Sequence, residues 1–192
     1  MKYIMYLLSF IFLLMACSKA PQEQAVEKID STYLSQGNKI VKISFETISG
    51  ELQKALANGS IESALRYCNV NAYPITDSLA TSFQVSIKRL SDKNRNLRNK
   101  TDKMGDFMMK GFGIDLSEGN DLSPKLVLKD DSVIFYKPII TQALCLNCHG
   151  VPGKDITFSN DSLIQALYPR DKAVGYQVNQ LRGLWRIGFK KI

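Results

Sequence analysis

Two cysteines stand two residues apart, and a histidine follows the second: Cys145-Leu146-Asn147-Cys148-His149. That spacing lets both sulfurs reach one edge of a porphyrin and form thioether bonds to its vinyl groups. The adjacent histidine can then turn its imidazole towards the iron. His149 is the only histidine in the sequence, and it sits where this chemistry needs one. A Cys-x-x-Cys pair serves two other chemistries. A redox-active dithiol belongs at an early strand-to-helix junction, and nothing around Cys145 has that setting. A zinc site could draw on Cys68, Cys145, Cys148 and His149, but the adjacent Cys148 and His149 would then have to share one small ion. The reading adopted is one covalently attached haem c.

The chain holds four cysteines. Cys145 and Cys148 go to haem, Cys17 goes to a lipid as discussed below, and Cys68 is left over. An unpaired thiol in an oxidising compartment is a liability unless buried or bound. By pattern Cys68 is a small buried hydrophobe on a helix face. The alternative is that its thiolate is the second axial ligand, since no other histidine exists. Met104, Met108, Met109, a lysine or water are the other options for that position.

These residues need elements to hold them. Ile40, Val41, Ile43, Ile48, Leu52, Ala55 and Leu56 recur at helical spacing over 38–57. Ser60 is an N-cap for a second helix, whose stripe Ile61, Ala64, Leu65, Cys68 and Ala72 lies on one face. Pro74 is expected to open a third helix to about Ser82. Gln84–Leu90 reads as a strand, 91–100 as a basic loop, and Thr101-Asp102 as the start of a helix carrying Met104, Phe107, Met108 and Phe112. Apolar runs 126–128 and 133–140 flank Asp130-Asp131 as a hairpin. A short helix over 159–167 and a last strand over 184–189 complete the pattern. Helices first and an antiparallel sheet later predict an α+β domain.

Lys2 precedes an apolar run from Tyr3 to Ala16 that is short for a membrane span and fits an export signal. Leu14-Met15-Ala16-Cys17 matches the bacterial lipoprotein box, in which cleavage frees a cysteine for lipidation. The expected organisation is therefore a signal over 1–16, a lipidated Cys17 with a polar tether over 17–36, and a haem-binding domain over 37–192. The chain is then expected on the periplasmic side, anchored by lipid to the inner or outer membrane. The net charge is +7 over 192 residues. Nucleic acid is not an expected partner, because an exported protein meets none and the densest basic cluster, 88–103, has no interleaved aromatics for stacking. The charge suits acidic headgroups, an acidic partner, or the propionates of a haem.

Further residues carry a family resemblance. They are Ala64-Leu65-Arg66-Tyr67-Cys68, Arg89-Leu90-Ser91, Arg95-Asn96-Leu97-Arg98-Asn99 and Lys137-Pro138-Ile139, then Cys145 to Gly150. Tyr168-Pro169-Arg170-Asp171-Lys172-Ala173-Val174-Gly175-Tyr176 and Leu181-Arg182-Gly183 close the set. From Ile43 to Phe189 the chain resembles the PAS-like single-haem c-type domains, found as small exported proteins and as sensor modules of signalling proteins. Leu97 and Lys100 depart from it where prolines are usual. The resemblance implies a PAS-like antiparallel sheet with flanking N-terminal helices, and His149 and Cys68 as axial ligands. It also implies Arg89, Arg95 and Arg98 as candidate propionate contacts. Thiolate ligation lowers the potential of a haem. The expected function is thus a redox or gas-responsive sensor with a diatomic gas as ligand and a separate signalling or redox protein as partner. An electron-transfer cytochrome is the alternative. An enzyme is not expected, since no second histidine is available for acid–base work.

Overall fold

The computed structural model describes residues 21–57 and 59–191, with side chains from Asp30 onward. The signal, Cys17 and its lipidation lie outside the described residues. Two long helices come first, α1 (Pro21–Ala57) and α2 (Ile61–Phe83). Strand β1 (Ser86–Leu90), helix α3 (Lys103–Glu118) and the strands β2 (Lys125–Lys129) and β3 (Ser132–Ile140) follow. The one-turn α4 (Leu146–His149), α5 (Phe158–Leu167) and strand β4 (Leu181–Lys190) end the domain. The sheet is antiparallel throughout, in the order β1-β4-β3-β2. The α+β architecture with N-terminal helices is as expected.

Both faces of the sheet are covered. Ile87, Val133, Phe135, Trp185, Ile187 and Phe189 meet Tyr33, Ile40 and Val41 of α1, with Leu79, Ala80 and Phe83 of α2 beside them. On the other face Leu90, Ile134, Tyr136 and Leu184 meet Met108, Met109 and Phe112 of α3. Burial on two faces explains why Val133–Tyr136 is a continuous apolar run and does not alternate. A third cluster, Leu65, Ile156 and Ile164, packs α5 against α2.

Two expectations are corrected. The stretch 21–36, read as part of a tether, is the first half of α1, and Tyr33 is only 3% exposed in the core. Its buried face runs Tyr33, Gly37, Ile40, Val41, Ser44, Ile48. Gly37 and Ser44 occupy apolar-stripe positions, so the helical period is hidden from a count of hydrophobic residues. A Cβ on Gly37 would lie 2.4 Å from the Phe135 ring, so helix and sheet touch there through backbone. Pro74 does not begin a helix; α2 runs through it. The proline removes one intrahelical bond, to the carbonyl of Val70, on a turn where Val70 is 67% exposed and water can take the acceptor.

The local signals elsewhere act as expected. Ser60 accepts from Ser63 N–H and Asp102 from Gly105 N–H, capping α2 and α3. Gln84, at φ 54°, closes α2 with its N–H on the carbonyls of Ala80 and Thr81, so β1 begins two residues later than its apolar alternation suggests. Asp130, at φ 47°, turns the β2–β3 hairpin in two residues.

Candidate functional site

The Cys-x-x-Cys-His segment leaves the sheet directly after β3. A single 3-10 turn, Ala143–Cys145, passes into α4, so Cys148 and His149 sit on one helical turn. Thr141, buried at the exit, donates its N–H to the Gln180 carbonyl at 2.9 Å and accepts from Asn179 N–H at 2.9 Å. After α4 the chain must turn sharply at Gly150, where a Cβ would come within 2.4 Å of Asp155.

The segment between α5 and β4 holds this motif by backbone. Gly175 N–H donates to the Gly150 carbonyl at 2.7 Å, and Tyr176 N–H to the His149 carbonyl at 2.9 Å. His149 Nδ1 lies 2.7 Å from the Ala173 carbonyl, which fixes the proton on that nitrogen and leaves Nε2 as the basic one. Arg95 joins the two halves: its guanidinium donates to the Cys148 carbonyl at 2.6 Å and to Asp171 at 3.1 Å. Asp171 in turn accepts from Ala173 N–H at 2.9 Å.

A cleft opens beside the motif as two adjoining cavities of about 270 and 220 Å³. Cys68, Cys145, Cys148 and His149 all line the first, and Cys145 and His149 also line the second. The walls are largely aliphatic, from Ile48 and Leu52 of α1, Ala64 and Leu65 of α2, and Leu144. Burial, helped by the nearby Arg182 and Arg95 charges, holds the His149 pKa well below the usual imidazole value, so the ring is neutral and fit to ligate. Burial pushes the Cys68 thiol up, while Arg89 and Arg95 pull it down. Cys148 is likewise raised by burial and lowered by Arg95.

Among the described residues no methionine or lysine lines either cavity. Met108 and Met109 are buried with α3 on the far face of the sheet, and Met104 is 41% exposed. Of the side chains considered for the second axial position, Cys68 alone shares the cleft with His149. No group of three or more His, Cys, Asp or Glu among the described residues could hold a metal ion, so the four zinc candidates do not converge on one point.

The three arginines separate. Arg89 lines both cavities and Arg95 lines the first. Arg98 does not reach the cleft: it is 61% exposed, pairs with Asp77 at 3.7 Å and stacks over Tyr73 at 3.8 Å. Its 3-10 turn (Leu97–Asn99) is tied to α2 by Tyr73, whose hydroxyl donates to Asn99 at 2.7 Å, and Arg98 lies along that helix. Arg182, absent from the expected contacts, lines both cavities. Its place in Leu181-Arg182-Gly183 was the available signal: a charged residue at the start of a largely apolar strand, followed by a glycine. A Cβ on Gly183 would meet the Leu90 carbonyl at 2.4 Å, so β4 passes very close to β1 beside the cleft. No described helix is long and apolar enough to cross a membrane.

The model of the Tll0287-like family matches residues 18–189. The chain belongs to the Tll0287-like family. A solved structure with the same fold is the crystal structure of the cyanobacterial heme-protein Tll0287, with a TM-score of 0.61 and 18% sequence identity. The likeness covers 90% of this chain and 98% of that one. Among curated proteins nothing matches. At such low identity the likeness speaks for the fold, and the PAS-like antiparallel sheet with N-terminal helices is the architecture of this Tll0287-like chain.

Proposed function

We propose that this chain is an exported, lipid-anchored monohaem cytochrome c that senses redox state or a diatomic gas. Cys145 and Cys148 would hold the porphyrin as thioethers, with His149 and Cys68 as axial ligands. The observation that carries the reading is that these four side chains share one aliphatic-walled cleft, with His149 tied through Nδ1 to Ala173. The donor set fits: two thiols for covalent attachment, a neutral imidazole, a further thiol, apolar walls for the macrocycle and guanidinium groups for its carboxylates. The solved relative, a cyanobacterial heme-protein, supports the same reading.

Bound in the cleft, haem would supply a one-electron couple and, when one axial ligand leaves, a place for a small gas. The protein's part is positional and electrostatic. Ala173 holds the imidazole and Arg95 the backbone next to it, so His149 would be the fixed ligand of the iron. Cys68 belongs to a different element, α2, and would be the ligand less firmly held. Its thiolate is stabilised by Arg89 and Arg95, and burial favours its protonation once it leaves. A ligand that is easy to lose on reduction is a poor feature for an electron carrier and a good one for a switch. The output would pass to a separate signalling or redox protein. No turnover is assigned, because a second histidine to move protons is absent from the sequence.

The alternative, a simple electron carrier, is favoured by Leu144, which lines the cleft beside Cys145 and is 47% exposed, so a bound porphyrin would approach solvent there. A spectroelectrochemical titration separates the two. The sensor reading requires a low midpoint and altered ligation on reduction; a high midpoint with unchanged ligation would establish the carrier.

Mass spectrometry of protein made in a host that attaches c-type haem tests the foundation. One haem should remain on the denatured chain through organic extraction. Unmodified mass would end the haem reading. Export and anchoring require acyl groups on Cys17, lost with Cys17→Ser.

A further inference from the structure

The cleft is charged in a one-sided way. Arg89, Arg95 and Arg182 line it, and no aspartate or glutamate lines either cavity. Only Arg95 has a carboxylate partner, in Asp171. The Arg89 side chain makes no hydrogen bond and no ion pair with the described residues; its guanidinium carbon lies 6.0 Å from the centre of the Trp185 ring. Arg182 is pinned by one nitrogen, which donates to Ser91 Oγ at 2.9 Å and the Lys93 carbonyl at 3.2 Å. Its Nε is buried without a partner. Burial lowers the pKa of both guanidinium groups, so each is held there at a cost.

Arg182 also lies over the Tyr176 ring at 5.1 Å, but neither it nor Arg89 has a carboxylate in contact, so a ligand that brings negative charge would offset the cost of holding two cations against one apolar cleft. The planar fork of a guanidinium matches the two oxygens of a carboxylate or a phosphate, and the porphyrin of the haem reading brings carboxylates. Arg89 stands on β1 and Arg182 on β4, strands that pair directly, so the two groups come from the rigid sheet. We infer that Arg89 and Arg182 form the carboxylate subsite of the cleft, and that Arg95 and Arg98 do not. Arg95 is neutralised by Asp171 and serves as a backbone staple, while Arg98 points to Asp77 outside the cleft. The inference rests on the haem reading above, under which the carboxylates are the propionates of the attached porphyrin.

The test uses the full chain carrying covalent haem, with Arg89→Gln as the first variant, because Arg89 leaves no protein group unpaired when it is lost. Resonance Raman spectra should show the propionate-bending band displaced in Arg89→Gln and unmoved in Arg98→Gln. The midpoint should fall, since a cation near the iron favours the reduced form. The expected shift is about tenfold in the redox equilibrium, or ~59 mV for one electron. Arg89→Lys should recover most of the midpoint, keeping the charge, but leave the band displaced, lacking the fork. Arg182→Lys, which retains a donor for Ser91, should also displace the band. An unmoved band in both Arg89→Gln and Arg182→Lys overturns the subsite while the retained haem mass leaves the haem reading standing. A chain that never gains haem mass overturns both.

Discussion

Arg95 and Asp171 form a buried ion pair at 3.1 Å, the Asp171 side chain fully enclosed and Arg95 11% exposed. The pair connects the loop after β1 to the segment after α5; through the Cys148 carbonyl it reaches the backbone just before His149, and through Ala173 it reaches the imidazole itself. A pair of this kind matters chiefly through what is left when half is removed.

Asp171→Asn keeps the volume and removes the charge, leaving the Arg95 guanidinium buried and unpaired. Urea unfolding should show a loss of about 3–5 kcal/mol. A loss below ~1 kcal/mol would mean that the pair is not a staple of the site.

Before haem attachment, the stability of the chain should depend on pH on both sides of neutrality. The folded His149 resists protonation, while in the unfolded chain it takes a proton near the ordinary 6.5. The unfolded state therefore binds more protons below that pH, and stability falls as pH drops, by ~1.4 kcal/mol per unit until the folded pKa is reached. The Cys68 and Cys148 thiols are raised by burial from an ordinary 9.0, so the unfolded chain ionises first on the alkaline side and stability falls above that pH. Midpoints of urea unfolding between pH 5 and 10 should trace a dome. A flat profile through the acid limb would contradict the burial of a neutral His149.

Cys68→Ser in the haem-loaded protein should convert the ferric spectrum from low to high spin, because a hydroxyl is a weak ligand. Absorption and EPR spectra read this directly. Spectra identical to the parent would reduce Cys68 to packing.

Gly37→Ala should lower stability even though alanine is the better helix former. The new methyl group would overlap the Phe135 ring, which is 0% exposed and has nowhere to go. Overpacking of about 1–3 kcal/mol exceeds the ~1 kcal/mol gained in propensity. Thermal unfolding should show a lowered Tm; a rise would mean that α1 is not seated on the sheet through this contact.

The Cys-x-x-Cys-His motif was legible in the sequence because it is local. The spacing of Cys145, Cys148 and His149 lies within five residues, and one helical turn is enough to present them together. Caps such as Ser60 and Asp102, the Asp130-Asp131 hairpin and the apolar run of β3 are local too, and they declare themselves in short windows. Even so, a window misjudges where a residue answers to a distant surface. Gly37 and Ser44 lie on the buried face of α1 because Phe135 and its neighbours, about a hundred positions away, require a close approach there. Pro74 continues a helix because the carbonyl it deprives faces water.

Which partner each side chain takes was decided only by the tertiary structure. Arg89, Arg95, Arg98 and Arg182 are each a single cation in the sequence, and no neighbour there names a partner. Folding gives Asp171 to Arg95 and Asp77 to Arg98, and leaves Arg89 and Arg182 facing the cleft without a carboxylate. Cys68 likewise reaches the space beside His149 because α2 packs against β1 and α5. Charge pairing and ligand approach act over a few ångströms in space, and positions separated by scores of residues acquire that distance only when the chain has folded.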